Sequence, residues 1–167
     1  NGVHDLHIII AENGTGKTNL LNATNWCLYD VEPHLQDSRK SLPRYNQEMF
    51  EEAKLSNRAE VTVEVTIVAT DGGKKIQFRR MQSFGVPGGL PKGKSRLYVT
   101  TFSGGEDPTV LSDQEASEIV ERYIPKRIRE YFFFDGERLH TYLVNHGDAD
   151  QIKDSINVIS QVNVLES

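Results

Sequence analysis

One stretch, Ala11-Glu12-Asn13-Gly14-Thr15-Gly16-Lys17-Thr18, constrains the possible folds of this chain more than any other. It lies between a short apolar run, Leu6 to Ile10, and a segment in which Leu20, Leu21, Thr24, Cys27 and Leu28 share one helical face. The run suits a buried strand and the segment suits a helix. A tight glycine-bearing turn between such elements aims consecutive backbone N–H groups and a helix N-terminus at one point, an arrangement that suits a phosphate. Gly14 and Gly16 allow the turn, Lys17 is placed to reach β- and γ-phosphates, and the Thr18 hydroxyl is placed to ligate Mg²⁺. Ala11 stands where the pattern has its first glycine and adds only a methyl. Asn13, Gly14, Thr15, Gly16, Lys17, Thr18 and Asn19 are therefore the candidate ATP-binding residues. The bland alternative, a glycine-rich turn with a lysine there by chance, does not account for the strand and helix around it.

At 167 residues the chain is long enough for one domain with its own core, and 37% hydrophobic with 26% charged residues describes a globular protein. No run is long enough to span a membrane, and no signal-peptide pattern opens the sequence. The single cysteine, Cys27, excludes an internal disulfide and fits a reducing cytoplasm. The sequence reads as a piece of something longer.

The net charge of −5 argues against a wholly basic nucleic-acid binder, but the charge is uneven. Between Gly72 and Arg96 stand Lys74, Lys75, Arg79, Arg80, Lys92, Lys94 and Arg96 with no acidic residue, which is +7 there and −12 elsewhere. Such a stretch is a candidate footprint for DNA, against the alternative of a solvated hairpin.

Beyond the first helix, residues 30–57 are polar and irregular, with a short helix expected near Asn46 to Ala53. Val61, Val63, Val65 and Ile67 alternate with Thr62, Glu64, Thr66 and Val68, the pattern of a strand with one buried face. Asp71-Gly72-Gly73 punctuates a hairpin, and Lys74 to Arg80 returns as a second strand with Ile76 and Phe78 on one face. Gly85 to Gly93 reads as a loop, Leu97 to Phe102 as a strand, and Ser103-Gly104-Gly105-Glu106 as a turn. Ser112-Asp113-Gln114-Glu115 has the form of a capping box, opening a helix that presents Ala116, Ile119, Val120 and Tyr123. Tyr131-Phe132-Phe133-Phe134 predicts a buried strand with Asp135 at its C-terminal edge, where ligands collect in open α/β sheets. Ile152, Ile156 and Ile159 form one apolar seam, a candidate start of a coiled coil.

Asp135 admits three readings. It is the metal-holding Asp of a Walker B strand with Glu137 near an attacking water, or a loop carboxylate sensing metal and γ-phosphate, or merely the end of a buried strand. Against the first, Gly136 stands where the second acidic residue normally follows. His4, His7, His34, His140 and His146 show no metal-ligand spacing.

Asn13 to Tyr29 (NGTGKTNLLNATNWCLY), the ribbon ending in Arg79-Arg80, and Tyr131 to Leu139 (YFFFDGERL) together resemble the N-terminal head lobe of SMC-like ABC ATPases, including the DndD and Lamassu-type ATPases of bacterial DNA modification and phage defence. The resemblance implies an α/β P-loop lobe over residues 1–147, with an antiparallel β subdomain over 58–102 and a helix over 148–167 that begins a coiled coil. It also implies a C-terminal lobe of the same protein, an ATP-dependent dimer with a second head, DNA, and a coupled nuclease or effector. Asp135 then occupies the place where related repair ATPases carry a glutamine, a departure that leaves open whether it touches Mg²⁺ or orients water. Ser103-Gly104-Gly105 looks like a signature-motif core, but its position is wrong for that family. The rivals are a complete small NTPase using Asp135 and Glu137, and a nucleotide-gated DNA clamp whose turnover is incidental.

Overall fold

The computed structural model describes residues 10, 12, 14–32, 43–71, 73–102, 107–129 and 133. Its elements in chain order are α1 (Lys17–Tyr29), α2 (Gln47–Leu55), β1 (Glu60–Asp71), β2 (Lys74–Gly85), β3 (Pro91–Phe102), β4 (Thr109–Ser112) and α3 (Asp113–Tyr123), followed by a 3₁₀ turn at Lys126–Ile128. The four strands form one antiparallel sheet in the order β1-β2-β3-β4.

The valine alternation fixes which way this sheet faces. Val61, Val63, Val65 and Ile67 are half-buried while Thr62, Glu64, Thr66 and Val68 are exposed. The register pairs Val65 with Arg80, Ile67 with Phe78 and Ala69 with Ile76, and pairs Phe78 with Val99. Directly opposed residues share a face. The inner row of β2 is therefore Ile76, Phe78, Arg80, Gln82 and Phe84, all buried. Against this face pack Cys27, Leu28 and Tyr29 of α1 and Ala116 and Val120 of α3, making one core with Leu97 and Val99.

α2 begins as its sequence dictates. Asn46 accepts a hydrogen bond from the Met49 N–H at 3.1 Å, Glu48 lies in the first turn and Lys54 in the last. Its Phe50 stacks on Tyr45 at 4.3 Å between centroids, and Tyr45 meets Phe84 edge-on at 5.2 Å. This aromatic group closes the end of the sheet beside the Val86–Leu90 connection.

Several expectations need correction. β3 starts at Pro91, so the glycine-rich connection is shorter than Gly85 to Gly93, and the sheet runs on through β4 to Ser112. Gly93 is accommodated inside the strand with φ 78°, next to a register shift between Met81 and Ser83. Ser112 precedes α3 without a side-chain capping bond, because it is committed to the sheet opposite Tyr98 and Asp113 adopts φ 50°. Leu20, placed on the apolar face of α1, is 56% exposed. Ile10 is exposed and outside any strand, and Phe133 is likewise outside any strand, with its N–H donating to Arg129 O at 2.8 Å. The rest of Leu6 to Ile10, Ser103 to Glu106, the rest of Tyr131 to Leu139, and residues 148–167 lie outside the described residues.

Burial pushes the Cys27 thiol from 9.0 up to about 11 and the Tyr29 phenol from 10.0 up to about 12. Both groups keep their protons in the fold at a pH where the unfolded chain has lost them, so their contribution is complete below pH 9 and is lost between about pH 9 and 12. Melting temperature should fall over that window. Tyr29→Phe, which keeps the ring and loses only the bond to Ile124 O, should make the fall shallower in a pH series of thermal melts; an unchanged slope would refute the assignment.

Candidate nucleotide-binding site

The turn ahead of α1 folds around one carbonyl. Glu12 O accepts the Thr15 hydroxyl at 2.8 Å and the Lys17 ammonium at 2.7 Å, with the Thr15 N–H at 3.4 Å. Gly14 and Gly16 hold φ of 84° and 101°, a left-handed conformation that side chains rarely adopt. Gly16 is the residue before the helix, and the first helical bond runs from Leu20 N–H to Gly16 O at 3.0 Å. The N–H groups of Lys17, Thr18 and Asn19 thus precede the hydrogen-bond ladder, at the positive end of the helix dipole. Among the described residues no side chain caps this end.

These residues fit a nucleotide's phosphates. A Cβ built on Gly14 would meet nothing within 4 Å, so the space beside the turn is open. The donors are backbone amides, one ammonium and the exposed Thr18 hydroxyl, a set matched to an anion and a hard cation. Lys17 Nζ, held on Glu12 O, would exchange that neutral acceptor for a charged phosphate oxygen. Asn13, Asp135 and Glu137, the other residues expected here, lie outside the described residues. Among the described residues no three His, Cys, Asp or Glu side chains are grouped to hold a metal.

The opposite end of α1 is fixed by the sheet. The Cys27 thiol lies 3.4 Å from Val65 O and 3.7 Å from Phe78 O, and Tyr29 Oη donates to Ile124 O at 3.0 Å. Arg80 Nε donates to Cys27 O at 2.8 Å, and Nη1 donates to Ser95 Oγ at 2.9 Å and stands 3.9 Å from Asp30 Oδ2. Nearby, Arg44 lies over the Trp26 ring at 5.6 Å and joins Glu32 to Gln82, whose Nε2 reaches Gly93 O at 3.2 Å. Sequence reasoning missed Arg44 and Gln82.

Arg80 must leave the set of expected DNA contacts. It is 7% exposed, and burial lowers its pKa below the ordinary arginine value despite the neighbouring Asp30 carboxylate. Its inward position follows from parity, since Ile76 and Phe78 share its face and Arg79 does not. The remaining cations divide. Lys75, Arg79 and Arg96 stand on the face turned away from the helices, Lys75 over Phe102 at 5.4 Å and the two arginines over Tyr98 at 5.2 and 5.5 Å. Lys92 pairs with Glu60 at 3.3 Å, while Lys74 and Lys94 are exposed.

Comparison with known proteins agrees with the phosphate-loop geometry. A family model described as an AAA domain matches residues 4–162. No curated protein and no solved structure matches the chain. A glycine-bent loop with Lys17 at the mouth of an anchored helix, inside a match of that extent, places this chain in the AAA domain family of P-loop ATPases.

Proposed function

We propose that the chain is the ATP-binding lobe of an SMC-like ATPase head that closes on a second head around nucleotide and works on DNA. The observation that carries the ATP reading is the phosphate loop itself, with its two left-handed glycines and Lys17 beside the open N-terminus of α1. ATP would be held by the amides of residues 13–19 and by Lys17, with Thr18 and Asp135 as the residues for Mg²⁺. That ion supplies charge neutralisation of the phosphate oxygens. Hydrolysis is in-line attack by water on the γ-phosphate. In this reading the general base and the signature motif come from a C-terminal lobe and from the second copy, so the chain holds half of a composite site.

The DNA reading is supported by the outward sheet face. Lys75, Arg79 and Arg96 project from adjacent strands beside Tyr98 and Phe102, with Glu60 and Glu64 as the acidic residues of that row on β1. Three cations on a rigid sheet can follow a phosphate backbone, and the rings limit their rotamers. A coupled nuclease or effector, a role in modification or defence, and a cytoplasmic location belong to the same proposal. Among the described residues no helix is long and apolar enough to cross a membrane.

Two measurements test this reading. With Mg²⁺ and labelled ATP, the chain should bind nucleotide without sustained phosphate release, and Lys17→Ala should weaken binding by ~1.5–3 kcal/mol, the worth of a charged hydrogen bond. Steady turnover by a monomer would replace this reading with that of a complete NTPase using Asp135 and Glu137. Reversing Lys75 and Arg79 to Glu should weaken DNA binding and lower its salt slope by about 2, one unit for each lost phosphate contact. Unchanged affinity at low salt would sink the DNA assignment.

A further inference from the structure

Between β3 and the first turn of α3 lies an open cleft of about 550 Å³ whose charge is strongly one-sided. Arg80, Lys92, Lys94 and Arg96 line it, against one carboxylate, Asp113. We propose that this cleft is a second anion site, separate from the phosphate loop, which takes a phosphoryl group carried by a free nucleotide or by nucleic acid. The nucleic-acid source rests on the DNA reading above; the free-nucleotide source does not.

The four cations are only partly neutralised by carboxylates in and around the cleft. Arg96 Nη2 lies 3.6 Å from Asp113 Oδ2, an ion pair longer than a direct hydrogen bond, between side chains 59% and 54% exposed. Lys92 shares its charge with Glu60, and Lys94 has no ion pair among the described residues. Asp113, and Asp30 at 3.9 Å from Arg80, therefore face an excess of positive charge, which a doubly charged phosphoryl group relieves better than a singly charged carboxylate ligand.

Part of the site is already rigid. The Arg80 guanidinium, with its side chain 8% exposed, is clamped between Cys27 O and Ser95 Oγ and so adds a fixed positive charge at the floor of the cleft, leaving direct contact to the exposed cations. Ser95 Oγ accepts that bond, so its own O–H remains to donate into the cleft. Ser117 instead donates to Asp113 O at 2.7 Å. The left-handed Gly93 and the adjoining register shift bend β3 where Lys92 and Lys94 flank it. Through Arg80 the cleft also touches the last turn of α1, the helix whose other end opens on the phosphate loop.

The test is calorimetric titration of the full chain with pyrophosphate in the absence of Mg²⁺. The native chain should show two sites, Lys17→Ala should retain one, and Lys94→Glu with Arg96→Glu in that background should weaken the retained site by about tenfold or more, as expected for lost charge-assisted contacts. Circular dichroism and melting temperature establish that the double variant is folded, and the milder Lys94→Ala, at an exposed position, should weaken the site in the same direction. Displacement of pyrophosphate from Lys17→Ala by a short oligonucleotide identifies nucleic acid as the source; displacement by AMP alone identifies free nucleotide. A single site abolished by Lys17→Ala, or a retained site indifferent to both Lys94 and Arg96, would overturn the proposal. Arg96 borders both surfaces, but the DNA reading is tested by reversing Lys75 and Arg79, which do not line the cleft, so failure here is distinguishable from failure of the DNA reading.

Discussion

The hydrogen bond from the Arg80 guanidinium to Cys27 O is the contact on which the rest of the arrangement turns. A helix ends with carbonyls that lack intrahelical partners and carry the negative end of the dipole, and a buried cation answers both needs. Burying a guanidinium costs several kcal/mol unless its donors are used. Here the cost is offset by Cys27 O, Ser95 Oγ and the more distant Asp30 carboxylate. Removing Arg80 would leave α1 with an unanswered C-terminus inside the core, and keeping Arg80 without those partners would leave a buried charge. The helix end and the charged residue are each tolerable because of the other.

This pairing explains how a largely exposed loop can be a defined site. The first turn of α1 is at the surface, with Lys17, Thr18, Asn19 and Leu20 all exposed, so the loop derives little stability from burial. The last turn is buried, with Trp26, Cys27, Leu28 and Tyr29 each 5% exposed or less. Orientation is therefore set at one end of the helix and used at the other. The Lys17–Glu12 contact then closes the loop on itself with one charge-assisted bond, which a phosphate can replace without disturbing the core.

Much of this was legible in the sequence, and the parts that were not share a cause. The phosphate loop could be read because glycine spacing and the lysine encode a local conformation. The valine alternation of β1 could be read because a half-buried strand has period two. Arg80 was misjudged because it was counted as charge rather than placed by parity, although Ile76 and Phe78 already determined its face. Gln82 and Arg44 could not be placed at all, since their roles depend on Gly93, Glu32 and Trp26, contacts made by tertiary packing across 11 to 38 residues of sequence. β4 was missed because four residues give too short a pattern, and the Ser112 capping box failed because the same residue is claimed by the sheet.

The basic stretch shows how one linear run serves three different ends. Read along the chain it is a single block of +7. Folded, its alternation sends Lys75 and Arg79 to the outer face, Arg80 into the core, and Lys94 with Arg96 to the rim of a cleft beside α3. Adjacent residues such as Arg79 and Arg80 thus differ in environment more than residues on separate strands, such as Arg79 and Arg96, which lie over the same tyrosine ring. The electrostatic footprint of the chain is accordingly a property of the sheet's two faces, and a charge count along the sequence overstates by at least one residue what an external polyanion can touch.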